Sequence, residues 1–169
     1  MNSTLATWNA GGETEALEAM LACCGAKRWA AAMATARPIG SVLALSETAD
    51  RIWSTMQEPD WLEAFACHPR IGERKPVSAS TRSAAWSSQE QSTASVAGER
   101  VLTELQEGNQ LYEQRFGITY IVCATGKSAE EMLAILQRRL ACSREIELRE
   151  AAEQQRQIMQ IRLGKWLIE

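Results

Sequence analysis

Histidine is almost absent from this chain of 169 residues: there is one, His68. A single imidazole removes His-rich metal centres from consideration, and no metal is expected. The five cysteines (Cys23, Cys24, Cys67, Cys123, Cys142) form an odd, scattered set with no C-x-x-C spacing. That disfavours a zinc site and a disulfide framework alike, and reduced thiols of a cytoplasmic protein are the expectation. Positive charge is not in excess. With 18 Lys and Arg against 21 Asp and Glu, the net charge is -3 and the pI near 5.4, so neither nucleic acid nor an anionic membrane is expected as main partner. No apolar run approaches the roughly 18 to 20 residues that span a bilayer. Met1-Asn2-Ser3-Thr4 lacks the basic and apolar regions of a secretory signal, and the closing Trp166-Leu167-Ile168-Glu169 is not a peroxisomal S-K-L address. No glycine-rich phosphate loop occurs, so no nucleotide cofactor is implied. Proline is confined to four positions between Pro38 and Pro76, so nothing beyond Pro76 must interrupt a helix.

What is present is helical periodicity. Leu17, Met20, Leu21 and Cys24 recur at i, i+3, i+4 and i+7, with Gly25 as a stop. Trp29 to Arg37 is rich in alanine and ends before Pro38. Val42, Leu45, Ala49, Ile52, Trp53 and Met56 make the clearest amphipathic stripe. Pro59 opens a short helix that runs out at Cys67-His68-Pro69. Residues 70–82, including Arg70, Arg74, Lys75 and Arg82, are polar and non-periodic, which predicts a long, locally basic loop of a kind that often carries function. A helix is expected to restart near Ser87 and run through Ala94, Ala97, Val101 and Leu105. Ser128 and Glu131 make a capping-box pattern before Met132, Leu133, Leu136 and Leu140. A last helix carries Leu148, Ala152, Gln155, Met159, Leu163 and Trp166. Ile118 to Cys123 is β-branched and aromatic, yet nothing else in the chain offers it a strand partner. The expectation is an all-α, single-domain helical bundle over residues 1–169, with one extended, largely buried connection near residues 118–124.

Three places could carry chemistry. His68 closes a helix before a proline and reads either as a cap on the last carbonyls or as a proton carrier near neutral pH. Ser87-x-x-Glu90 and Ser88-x-x-Gln91 both match a capping box, and a helix N-terminus there would also offer N–H groups to an anion. A Ser-His-Glu triad is rejected, because there is no G-x-S-x-G elbow and no strand to carry it. Arg162, beside the Met159-Leu163 stripe, reads either as a snorkelling side chain or as a fork for a carboxylate.

Taken together, His68-Pro69-Arg70-Ile71-Gly72, Ser87-x-x-Glu90-Gln91, Tyr120-Ile121-Val122-Cys123-Ala124 and Gly126-Lys127-Ser128 resemble one family. This is the OHCU (2-oxo-4-hydroxy-4-carboxy-5-ureidoimidazoline) decarboxylase family, which makes S-allantoin in the last step from urate. The resemblance extends from Trp8-Asn9 to Ile161-Arg162-Leu163. It implies an all-α, cofactor-independent carboxy-lyase, with a homodimer as the family expectation. His68 and Glu90 would be the catalytic pair. Pro69, Ser87, Gln91, Tyr120, Ile121, Val122, Cys123, Ala124 and Arg162 would contact the small-molecule substrate. Thr125 departs from the arginine that relatives often place there. The substrate's own C=N bond can accept the electrons released with carbon dioxide, so no separate electron sink is called for. The rival expectations are a non-catalytic helical binding module derived from this family, and a hydrolase or lyase acting on another ureido compound.

Overall fold

The computed structural model describes residues 2–72, 81–92 and 98–169, and among these the only regular elements are helices. They are α1 (Ser3–Ala10), α2 (Glu13–Cys23), α3 (Lys27–Thr35), α4 (Val42–Trp53), α5 (Glu58–Ala66), α6 (Thr81–Glu90), α7 (Glu99–Phe116), α8 (Ala129–Arg139) and α9 (Arg144–Trp166). The all-α expectation holds. Two compact units are formed, one of Met1–Ala64 with Arg156–Glu169, the other of Phe65–Gln155.

In the first unit, short polar side chains set the helix starts. Asn2 Oδ1 accepts from Leu5 N at 3.0 Å, and Ser41 Oγ from Ala44 N at 3.0 Å, each satisfying an orphan donor of the first turn. α3 has no side chain of its own for this purpose. The Glu63 carboxylate of α5 accepts from Lys27 N at 2.8 Å instead. Tryptophans join neighbouring helices: Trp8 Nε1 donates to Ala16 O and Trp29 Nε1 to Ala49 O. The α4 stripe buries Leu45, Ala49, Ile52 and Trp53 as its period requires, but its first member, Val42, is exposed.

In the second unit, α7 ends at Gly117, whose φ of +71° lets its N–H bond back to Glu113 O at 2.8 Å, a conformation that costs a residue with a Cβ. α7 and α8 approach closely at Gly108, where a Cβ would lie 2.6 Å from Leu136 Cδ2. The Ser128–Glu131 capping box opens α8 with both reciprocal bonds in place. Between these helices, residues 118–124 form neither helix nor strand, and all but Thr119 are buried, matching the expected buried connection.

The sequence reading fails between residues 81 and 92. α6 begins at Thr81, inside the stretch read as loop, and Ser87 lies in its last turn rather than at a helix start. Neither the capping reading of Ser87 and Ser88 nor an anion site on a helix N-terminus survives. The reason is a competing period: Ser83, Trp86 and Ser87 are the buried residues of this helix, and their spacing of i, i+3 and i+4 defines its inner face. Two of the three residues on that face are serines, which carry no apolar signal. The expected continuous helix is two, α6 and α7. The expectations for Arg74, Lys75, Pro76, Ala94 and Ala97 lie outside the described residues.

Candidate active site

His68 follows the end of α5, and its N–H closes the last turn on Phe65 O at 3.1 Å. Pro69, buried beside it, has no N–H with which to continue the helix. The ring is half-buried, and its Nε2 lies 2.7 Å from Gln155 Oε1. Gln155 is fully buried on α9. An amide oxygen can only accept, so the hydrogen of this bond belongs to Nε2, and Nδ1 is the basic nitrogen of the neutral ring. The resemblance names Glu90 as the other member of the catalytic pair; the bond to His68 Nε2 is made by Gln155. Gln155 was visible only as a polar residue on an apolar stripe.

The backbone after His68 is pinned from two sides. Arg70 holds the Glu113 carboxylate through a fork, Nε to Oε1 at 2.6 Å and Nη2 to Oε2 at 2.7 Å. One turn earlier on α7, Asn109 Nδ2 donates to Ile71 O at 3.0 Å. Gly72 adopts a φ of +88°, which only glycine adopts readily, and its N–H donates to Gln91 Oε1 at 3.1 Å. That bond ties the end of α6, and with it Glu90, to the segment that begins at His68. Ser87 is buried one turn before Gln91. Arg70 is thus an anchoring residue of this segment.

The 118–124 segment is held by its backbone. Cys123 N donates to Gln154 Oε1 at 2.8 Å, and Lys127 Nζ donates to Cys123 O at 2.7 Å. Gln154 and Gln155, consecutive on α9, therefore hold Cys123 and His68. Deeper, Arg139 Nη1 donates to Ile121 O at 2.6 Å while its Nε donates to Glu147 Oε1 at 2.8 Å. The Arg139 Nη2 and Tyr112 hydroxyl also donate to that carboxylate oxygen. Burial alone would lower the Arg139 pKa, but the Glu147 carboxylate raises it overall. Burial holds the Tyr112 and Tyr120 phenols well above the usual tyrosine range despite the nearby guanidinium. Tyr120 spends its hydroxyl on Met132 O at 3.0 Å, so its side chain supports the segment and any ligand contact there falls to the backbone. Thr125 is exposed in the following turn.

Arg162, on α9 in the first unit, is 2% exposed. It is therefore not the edge residue the period suggested. The residues that spacing did not reveal are Asn109, Glu113, Arg139, Glu147 and Gln154. Only the i, i+4 pair Asn109 and Glu113 left a trace, as one polar face of a helix.

The chain matches the family model for OHCU decarboxylase over residues 9–164. It is 38% identical over 144 residues to the "Uric acid degradation bifunctional protein TTL" of Arabidopsis thaliana, a match covering 85% of this chain and 44% of that protein. The chain thus spans less than half the length of this relative. It is 25% identical over 138 residues to the 2-oxo-4-hydroxy-4-carboxy-5-ureidoimidazoline decarboxylase of Haloferax volcanii, covering 81% of this chain and 80% of that one. A crystal structure of OHCU decarboxylase in the presence of (S)-allantoin superposes with a TM-score of 0.77 at 35% identity, over 94% of this chain and all of that one. A crystal structure of (S)-allantoin synthase reaches 0.71 at 16% identity, over 96% of this chain and 53% of that chain, a likeness of fold alone.

Proposed function

This chain belongs to the OHCU decarboxylase family, and we propose that it decarboxylates OHCU to (S)-allantoin, with His68 as general acid/base. The observation that carries the reading is a family match over residues 9–164 that includes His68, Glu90 and Arg162. The geometry supports it: the one imidazole of the chain stands at a helix end with one nitrogen committed to a buried amide, a pre-oriented state for proton transfer.

The chemistry balances without an external electron sink. The bond from the ring carbon to its carboxylate breaks and releases carbon dioxide. The electron pair forms a carbon–carbon double bond to the neighbouring ring carbon, whose C=N electrons move to nitrogen and take a proton there. The resulting enol loses its hydroxyl proton and gains one on carbon, from a single face, to give the S product. His68 is the group proposed to take up and return protons, with Glu90 managing the second transfer. The Arg162 guanidinium would hold the carboxylate in a paired geometry. Pro69, Ser87, Gln91 and the backbone of Tyr120 to Ala124 would line the ring and ureido group. A cytoplasmic homodimer completes the reading. The compartment rests on a scattered cysteine set with no C-x-x-C spacing, and the dimer on the family resemblance alone.

The test generates OHCU from urate in situ and follows allantoin by circular dichroism. His68→Ala is expected to lower kcat by about 10² to 10⁴, the usual worth of a placed acid/base, with KM little changed. If the native protein did not speed OHCU decay beyond its spontaneous rate, the binding-module reading would replace this one. Turnover of other ureido compounds, but not OHCU, would favour the alternative hydrolase or lyase.

A further inference from the structure

Resting on the reading above, we propose that Gln155 is a positioning residue: its buried amide keeps the hydrogen of the neutral His68 ring on Nε2, so that Nδ1 exchanges protons with the substrate. Neutral imidazole interconverts between two tautomers, and a partner on one nitrogen decides which is populated. The Gln155 oxygen, 2.7 Å from Nε2, is such a partner. Three features make that partner a firm one. Gln155 is fully buried, so water does not compete freely for its oxygen. It lies within α9, a helix of 23 residues, so its backbone is fixed. Its neighbour Gln154 is bonded to Cys123 N, which braces the same turn against the 118–124 segment.

A neutral amide suits the task. A carboxylate in this place would stabilise the imidazolium and oppose return of the proton, whereas an amide orients the ring without biasing it by a full charge. In the proposed cycle Nδ1 takes the hydroxyl proton of the enol and returns a proton to carbon. Nε2 keeps its hydrogen on Gln155 throughout.

His68 is the only histidine of the chain, so the test needs no assignment among rings. Long-range ¹H–¹⁵N correlation spectra of the ¹⁵N-labelled protein, recorded about two units above the ordinary imidazole pKa of about 6.5, report which nitrogen bears hydrogen. The expected wild-type spectrum shows Nε2 as pyrrole-type and Nδ1 as pyridine-type, with no averaging. In Gln155→Leu the Nε2 shift should move away from its pyrrole-type value toward averaging, and kcat should fall about 10- to 100-fold, the scale seen when the orienting partner of a functional histidine is lost, with KM nearly unchanged. Gln154→Leu removes only the brace and keeps the Gln155 amide, so Nε2–H should remain the main tautomer.

A wild-type ring carrying its hydrogen on Nδ1 would overturn the proposal even if Gln155→Leu did not fold. So would a single Nε2–H tautomer persisting in Gln155→Leu, or averaging as complete in Gln154→Leu. A protein with the expected tautomer but no decarboxylase activity would sink the functional reading and leave the tautomer assignment standing.

Discussion

A buried guanidinium behaves differently according to what faces it. Arg139 has its partners in Glu147, Tyr112 and Ile121 O, so removing it strands a buried carboxylate. Arg139→Met is expected to cost about 3–5 kcal/mol, measured by urea unfolding, because Glu147 is 0% exposed and its Oε2 has no hydrogen-bond partner among the described residues. Arg162 is equally buried but is proposed to meet the substrate. Arg162→Lys keeps the charge and loses the planar fork. The expected loss is about 1.5–3 kcal/mol of transition-state binding, or roughly 10- to 150-fold in kcat/KM, read from the same allantoin assay. His68 could be singled out from the sequence because it stands alone and precedes Pro69. Its partner could not, because 87 residues separate them and no local pattern links positions so far apart.

Helix starts and stops were legible where a side chain or a glycine announces them. Ser128 with Glu131 and the Ala-rich run of α3 act as written, and α2 stops before Gly25 with extended Cys24, not a left-handed glycine, as its cap. Ser128→Ala should cost about 1 kcal/mol, seen as a lower urea midpoint. The same grammar misled at Ser87, where S-x-x-E occurs by coincidence in the closing turn of a helix. That correction sharpens the reading of Glu90. As the last residue of α6 it has no capping box to complete, so Glu90→Gln is expected to leave the unfolding free energy within about 0.5 kcal/mol of wild type and yet reduce turnover. Near-normal turnover in the allantoin assay would return Glu90 to a structural role.

Across the whole molecule, the two tyrosines of the sequence are both buried and held protonated. In the unfolded chain they ionise near pH 10, so above that pH the unfolded state binds fewer protons than the folded one and stability falls as pH rises. An absorbance titration should show no phenolate near pH 10, then a steep rise that coincides with loss of helical circular dichroism. Ionisation at the ordinary value, with the helices intact, would contradict the burial that supports the 118–124 segment. The sequence by itself determined the helical class, the buried connection, the lone histidine and the family, because periodicity, composition and short motifs are local and survive without coordinates. Tertiary structure alone decided that α6 ends, rather than begins, near Glu90, that Asn109 and Glu113 pin the chain after His68, and that a glutamine holds the imidazole. Those are contacts between distant residues, selected by packing and by the need to satisfy buried polar groups, and one-dimensional spacing does not encode them.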